Sequence, residues 1–91
     1  MSRFDIGKEV YVKDSGSCYS GFIKFFKENG LDILQDDYVS GEVIPIDDMY
    51  TVVAKGKHPW GNTVLVLQNS DGQVYLMGKD KHYIKKAWEE F

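Results

Sequence analysis

The sequence predicts a mainly β domain with one short helix (an α+β fold), in which short strands build a small, partly open barrel. Several runs of β-branched and aromatic residues are separated by glycine-containing turns. Two alternating runs flank Asp71 and Gly72, a pair typical of tight hairpins. Between the first strand and the others, phenylalanines repeat at helical rather than strand spacing.

Two strands are predicted from alternation and residue type. Residues 8–13 alternate, with Val10 and Val12 on one face and Tyr11 on the other. Residues 49–54 are rich in β-branched side chains, which favour strands. Residues 42–46 alternate loosely, but their proline has no N–H to donate, so we expect an edge or the beginning of a strand there.

Residues 63–68 and 73–77 are the clearest unit, a β-hairpin. Asp71-Gly72 predicts a type I′ turn, which needs positive φ at both central residues. Valines at 64 and 66 share one face, and leucines at 65 and 67 share the other. Such a strand is predicted to be buried on both sides, as in a barrel wall.

A short helix is predicted over residues 21–29. Its apolar stripe, at spacings i, i+3 and i+4, consists of Phe22, Phe25 and Phe26. Ser20 is the candidate N-cap, and Asn29-Gly30 is a favourable C-terminal pair because glycine adopts the left-handed conformation without a Cβ penalty.

Three segments are less defined by their pattern. The acids in residues 31–38 favour a loop or an edge segment over a core strand. Residues 56–62 are predicted to be a loop, since Pro59 disfavours helical backbone at the preceding residue. Residues 79–91 fit either a helix or a turn with a closing strand.

The length of 91 residues predicts a single domain over residues 1–91. One cysteine, Cys18, forbids an internal disulfide and agrees with a reducing compartment. The chain shows no basic stretch followed by an apolar run, and no apolar run of about 18 residues, so we expect a cytoplasmic protein.

Charge is unevenly distributed along the chain, which has a net charge of −3. Residues 28–54 contain seven acids and no lysine or arginine. Such a segment attracts basic surfaces and repels nucleic acid backbone. The alternative is a solvated loop kept soluble by its charges. The candidate partner-binding carboxylates are Asp32, Asp36, Asp37, Glu42, Asp47 and Asp48.

The residues also carry a resemblance. Ile6-Gly-Lys-Glu-Val-Tyr-Val-Lys looks like the first strand of a small SH3-like or KOW-like barrel. The order of strand, Ser-Gly turn, Phe25-Phe26 helix and Asp71-Gly72 hairpin is similar to uncharacterised phage and prophage proteins of Gram-positive bacteria. The resemblance implies an SH3-like fold and a host bacterial cytoplasm. The acidic segment 32–48 and the last four residues depart from that pattern.

Catalysis is not expected. The chain contains no nucleophile elbow, phosphate loop or dinucleotide fingerprint. No cofactor is predicted, although a structural zinc ion would stabilise so small a core. Its candidate ligands, which would have to converge through the fold, are Cys18, His58 and His82.

The predicted function is therefore protein binding. His58-Pro59-Trp60 puts an aromatic residue at a loop tip, where it either contacts a partner or folds back to cap the barrel. With the acidic segment, it suggests docking on a basic protein surface. In a phage setting this predicts an inhibitor of the anti-CRISPR type, which blocks a nucleic-acid-guided nuclease by direct contact.

Other functions stay open. A housekeeping interaction module is one, and a barrel, or an oligomer of it, that sequesters a signalling nucleotide between its loops is another. A nucleic-acid-binding barrel is disfavoured by the acidity and by the scarcity of arginine. It would use stacking aromatics and phosphate-binding lysines: Tyr11, Tyr19, Trp60, Lys55, Lys57, Lys79 and Lys81.

Overall fold

The computed structural model describes residues 5–16, 18–79 and 88–90. Their strands form one antiparallel sheet in the order β4-β3-β2-β1-β5. The strands are β1 (Glu9–Val12), β2 (Asp48–Lys57), β3 (Thr63–Gln68), β4 (Val74–Gly78) and β5 (Trp88–Glu90). Between β1 and β2 the chain forms the helix α1 (Lys24–Glu28) and the 3-10 helix Asp32–Asp37. The prediction of a mainly β fold with short helical structure is confirmed.

Strand β3 separates two hydrophobic cores of the described residues, and all four of its apolar side chains are fully buried. The helix-side core contains Phe25, Phe26, Ala54, Val64, Val66, Val74 and Leu76. The strand-side core contains Val10, Val12, Ile44, Tyr50, Val52, Leu65, Leu67, Tyr75 and Met77. Each fully buried aliphatic side chain contributes about 1.5–3 kcal/mol, so neither core is dispensable in so small a chain.

A β-bulge at Val53 lets β2 contribute to both cores. Val52 pairs with Leu67, whereas Ala54 pairs with Val66, so Val53 is an extra residue. Without it, Val52 and Ala54 would lie on the same face of the sheet, because strand side chains alternate with a period of two. The bulge instead directs Val52 to the strand-side core and Ala54 to the helix-side core.

The hairpin between β3 and β4 is present, but the predicted type I′ turn is wrong. Gly72 has φ 84°, whereas Asp71 does not share the positive φ that this turn requires. The loop is longer because the Asn69 side chain organises it. Asn69 Oδ1 accepts hydrogen bonds from the backbone N–H groups of Asp71 (3.0 Å) and Gln73 (2.9 Å). The N–H of Gly72 donates to the Asn69 carbonyl (3.1 Å), which closes the turn.

The helix α1 begins later than predicted. Gly21 has φ 76°, which is incompatible with helix at that position. The N–H of Phe22 donates to the hydroxyl of Tyr38 (3.0 Å), so Phe22 lies before the helix and not in its first turn. The N-cap is Ile23, without a side-chain hydrogen bond, so the prediction of Ser20 as N-cap is wrong.

The C-terminal end of α1 is as predicted. Gly30 has φ 68°, and its N–H donates to the Lys27 carbonyl (3.3 Å). The N–H of Leu31 donates to the Phe26 carbonyl (2.7 Å), which completes a Schellman motif. The Asn29 side chain then joins the helix to the sheet, since it both accepts from the N–H of Lys57 (2.8 Å) and donates to its carbonyl (3.2 Å).

Other segments also differ from their predictions. Residues 31–38 contain a 3-10 helix, and residues 42–46 form no strand. The predicted loop 56–62 begins at position 58, since β2 continues through Lys57. Of the two predictions for the tail, residues 88–90 form a strand that pairs with β1. Residues 80–87 and 91 lie outside the described residues.

The outer edge of β4 is covered by two connecting segments. Cys18 pairs with Met77, and Tyr38 pairs with Val74, as isolated bridges. The N–H of Tyr19 adds a hydrogen bond to the Leu76 carbonyl (3.1 Å). These bonds satisfy edge groups that would otherwise be open to strand addition.

Candidate functional site

The predicted binding residues lie at two opposite ends of the sheet. The ten residues of β2 run from Asp48 to Lys57, which spans about 30 Å at strand spacing. The largest extent of the molecule is 29 Å. Groups before β2 and groups after it therefore lie on opposite sides of the protein. We call these regions the acidic end and the basic-aromatic end.

The acidic end gathers carboxylates that are distant in the sequence. Asp36 and Asp37 line a hollow of about 290 Å³ together with Asp71 of the hairpin loop. Burial raises the pKa of Tyr75, and the carboxylates of Glu42, Asp48 and Asp71 raise it further, so these three lie around one side chain. The exposed carboxylates of the acidic end are Asp36, Asp37, Glu42, Asp47, Asp48 and Asp71.

Two residues of this group show the limits of the sequence pattern. Asp71 is not among the predicted binding residues, because its role in the hairpin turn already accounts for an aspartate at this position. Asp32, which is among them, is exposed at the start of the 3-10 helix. The antiparallel sheet carries the hairpin tip to the same end as the start of β2, since Thr51 pairs with Gln68. Strand pairing thus brings the carboxylate of Asp71 to the acidic end, although Asp71 is distant from the acidic run in the sequence.

The segment 42–48 is held firmly against the sheet. Ile44 is buried in the strand-side core, and its N–H donates to Cys18 Sγ (3.3 Å). The hydroxyl of Tyr50 donates to the Pro45 carbonyl (2.6 Å). The N–H of Asp47, whose φ is 57°, donates to the last carbonyl of β1 (2.7 Å). Carboxylates on this segment are therefore presented from a fixed backbone.

The same segment exposes two apolar side chains. Val43 is 62% exposed and Ile46 is 49% exposed, while Ile44 between them is 1% exposed. Glu42 precedes Val43 and Asp47 follows Ile46 in the chain, so exposed apolar and acidic groups are neighbours on this segment. Sequence pattern assigns no binding role to either residue, because their loose alternation indicates an edge strand.

Carboxylates at this end also make local hydrogen bonds. Asp48 Oδ1 accepts from the N–H of Met49 (2.8 Å). Asp47 Oδ1 accepts from the hydroxyl of Tyr11 (3.3 Å), which places Tyr11 at the acidic end. These bonds hold the side chains in place while they remain exposed to solvent.

The basic-aromatic end begins with a short loop that presents Trp60. The N–H of His58 donates to the Asn62 carbonyl (2.8 Å), and the N–H of Gly61 donates to the His58 carbonyl (2.7 Å). Trp60 is 86% exposed. Of the two orientations that the sequence allows, the indole therefore adopts the outward one and does not cap the barrel.

His58 fixes the position of this tryptophan. The backbone N–H of Trp60 donates to His58 Nδ1 (3.1 Å). The centroids of the His58 and Trp60 rings are 5.2 Å apart in an edge-to-face arrangement. The imidazole also lies against Tyr19 (5.3 Å) and Phe22 (5.2 Å), and Phe22 packs on the helix-side core.

Lysines occupy the other face of this end. A groove of about 460 Å³ is lined by Asn29, Lys55, Gly56, Lys57, Thr63 and Lys79. Lys57 Nζ donates to Thr63 Oγ1 (3.1 Å). Lys55 Nζ lies 3.5 Å from Asp5 Oδ1. Lys81, another predicted phosphate contact, lies outside the described residues.

The candidate zinc ligands are not brought together in the described part of the chain. Burial raises the pKa of the Cys18 thiol, which disfavours the thiolate that a metal needs. His58 contacts aromatic rings, and His82 lies outside the described residues. Within residues 5–16, 18–79 and 88–90, no three His, Cys, Asp or Glu side chains are placed to hold a metal ion.

Comparison of the chain with protein-family models, curated proteins and solved structures finds no match. Among the described residues, none of the helices has the length and apolar character needed to cross a membrane. The geometry of the two ends is therefore the basis on which a function can be inferred.

Proposed function

We propose that the protein is a non-enzymatic protein-binding module, and that its acidic end docks on a basic protein surface. The observation that supports this is the exposure of Val43 and Ile46 on the same rigid segment as Glu42 and Asp47. Apolar side chains surrounded by charges are typical of interfaces, in which the charges accelerate encounter and select the partner.

We also propose that the sheet is an SH3-like, partly open barrel. The first and last described strands, β1 and β5, lie side by side, and β2, β3 and β4 follow as a meander. The bulge at Val53 lets β2 bend between the two cores, as a strand in a barrel wall must. This fold agrees with the sequence resemblance to small phage and prophage proteins.

In that setting the basic partner is a host enzyme that handles nucleic acid. A nuclease guided by nucleic acid has a positively charged channel, for which an acidic surface competes with the natural ligand. An inhibitor of the anti-CRISPR type is thus the specific form of the proposal. Its support is the resemblance together with the acidic end.

The test is affinity purification from the host, followed by calorimetry with the partner that is recovered. A variant that neutralises three carboxylates without losing their hydrogen-bonding oxygens combines Glu42→Gln, Asp47→Asn and Asp48→Asn. We expect its Kd to rise at least tenfold, and the dependence of Kd on salt to become shallower.

A matched control compares Asp47→Asn with Asp48→Asn against a variant that changes the net charge by the same amount at exposed positions outside the acidic end, Glu9→Gln with Glu28→Gln. We expect the control to bind the partner normally. Equal losses in both variants would show that net charge matters rather than this surface. A second pair, Val43→Ser and Ile46→Ser, tests the apolar contribution at constant charge.

A further inference from the structure

We infer that the basic-aromatic end binds single-stranded nucleic acid, with backbone phosphates on its lysines and a base stacked on Trp60. This goes beyond the protein-binding function proposed for the acidic end and uses different residues. The net acidity of the chain argues against such binding only if its charges are taken together. The structure separates the charges, so each end acts through its own local field.

The lysines form an ordered cluster. Lys57 pairs with Thr63, and the N–H of Lys79 donates to the Thr63 carbonyl (2.8 Å), so these residues make one row across the sheet. Neighbouring strands are about 4.8 Å apart, which puts Lys57 and Lys79 about 10 Å apart along that row. Lys55 lies two residues before Lys57, and strand alternation places it on the same face.

The lining of the groove is basic among the residues that the structure describes. It consists of three lysines together with an amide, a hydroxyl and a glycine, and none of these lining residues is a carboxylate. Asp5 approaches Lys55 at 3.5 Å, and Thr63 accepts from Lys57 at 3.1 Å. A phosphate that enters the groove therefore meets several ammonium donors.

Trp60 supplies the stacking surface. Trp60 is 86% exposed, yet its backbone N–H and its ring both contact His58. An aromatic side chain that is already positioned loses little conformational freedom when a base stacks on it. Stacking on one such residue changes affinity by about tenfold to a hundredfold.

The lysine row and the indole lie within the reach of neighbouring nucleotides. Trp60 follows Lys57 by three residues, so their Cα atoms are at most about 11 Å apart. The loop that carries Trp60 joins Lys57, the last residue of β2, to Thr63, the first residue of β3, so it begins and ends in the lysine row. A single strand that crosses the end of the sheet can contact both groups.

The acidic end does not oppose this contact. It lies about 30 Å away along β2, some three Debye lengths at 0.1 M salt. The described lining of the groove offers no arginine for bidentate base contacts, so binding is expected to tolerate any sequence. Stacking requires an accessible base face, so single strands are expected to bind more tightly than duplex.

The experiment measures fluorescence anisotropy of a labelled twelve-residue thymidine oligonucleotide over salt concentrations up to about 0.1 M, at which the distant carboxylates are screened. We expect Trp60→Ala to weaken binding about tenfold or more. Lys57→Gln with Lys79→Gln should weaken it as well, and should reduce the salt slope by about 1.4, or about 0.7 for each phosphate that is no longer neutralised. Far-UV circular dichroism establishes that each variant is folded.

Two controls locate the effect. Lys13→Gln makes the same charge change as Lys57→Gln but lies beyond β1, next to the acidic end, so it should leave binding unchanged. The triple variant at Glu42, Asp47 and Asp48 should also bind the oligonucleotide normally at about 0.1 M salt, where its altered charges lie beyond the screening length. The oligonucleotide experiment therefore tests the basic-aromatic end independently of the protein-binding function proposed for the acidic end.

Several results would overturn the inference. One is the absence of a complex at micromolar protein and low salt. Another is an equal loss of binding in Lys13→Gln and Lys57→Gln. Polyglutamate that binds through the same lysines as tightly as the oligonucleotide, with no dependence on Trp60, would instead identify a surface for acidic proteins.

Discussion

The two ends of the sheet present their groups in different ways. At the acidic end, an irregular segment is fixed by the buried side chain of Ile44 and by hydrogen bonds from Tyr50 and Asp47. At the basic-aromatic end, regular strands carry the lysines, and a short loop carries Trp60. The net charge of the chain therefore does not predict the charge of either surface, because the strand β2 separates the acidic groups from the lysines.

Gly56→Ala should have the strongest effect on stability, because it disturbs the support of the basic-aromatic end. A Cβ at Gly56 would overlap the ring of Phe25, at 2.6 Å from Cε2, and would lie 2.8 Å from Cγ of Asn29. Phe25 is fully buried and cannot move aside. We expect the substitution to lower the free energy of unfolding by about 1–3 kcal/mol, measured by urea denaturation.

Gly78→Ala is the matched control. Its Cβ would lie 2.9 Å from Cε2 of Tyr19, whose side chain is only half-buried and can yield. We therefore expect a smaller loss of stability than for Gly56→Ala. If Gly56→Ala were as stable as the wild type, the close packing of α1 on β2 would be disproved.

A smaller effect is expected at the acidic end. Tyr50→Phe removes the hydrogen bond to the Pro45 carbonyl but keeps the buried ring. We expect a loss of about 0.5–1.5 kcal/mol in urea denaturation. A loss near zero would mean that Ile44 alone holds the segment 42–48.

Tyr50 should also make the free energy of unfolding depend on pH. Burial raises the pKa of Tyr50 above its ordinary value of 10.0, and the charge of Asp48 adds to this. Stability from the neutral phenol is thus fully present below about pH 10 and declines as the pH rises further, because the unfolded chain ionises first. Denaturation at pH 8 and pH 10.5 should show a steeper decline for the wild type than for Tyr50→Phe.

Trp60→Ala should have the weakest effect on stability, although it should weaken oligonucleotide binding. The free energy of unfolding should change by less than about 0.5 kcal/mol, because the indole is exposed. A tryptophan that capped a core would cost about 3–5 kcal/mol. Urea denaturation distinguishes the two, and a large loss would contradict the outward orientation of the loop.

Much of the sheet could be predicted from local pattern. The predicted strand 63–68 has the same first and last residues as β3. A short run of apolar residues on both faces of a strand, bounded by turn residues, has few other interpretations. The start of α1 could not be predicted, because a distant hydroxyl, that of Tyr38, takes the N–H of Phe22. The turn type failed for a similar reason, since the Asn69 side chain reorganises the loop.

The candidate site was predictable by composition but not by arrangement. The acidic run and Trp60 both stand out in the sequence, and both are exposed in the structure. Their separation depends on the direction and length of β2, which no local motif encodes. The exposure of Val43 and Ile46 depends on Ile44 being the residue that turns inward, a choice made by the strand-side core.

The bulge at Val53 limits how this protein can vary in length. It shifts the alternation of β2 by one residue, so that even-numbered residues face the strand-side core before Val53 and the helix-side core after it. Deleting the extra residue Val53 would keep Val52 opposite Leu67 and Ala54 opposite Val66 in regular alternation, whereas a deletion elsewhere in β2 would exchange inward and outward positions beyond that point. Among single-residue changes within β2, only the loss of the bulge residue should therefore leave both cores intact, whereas the loops at either end can change length one residue at a time.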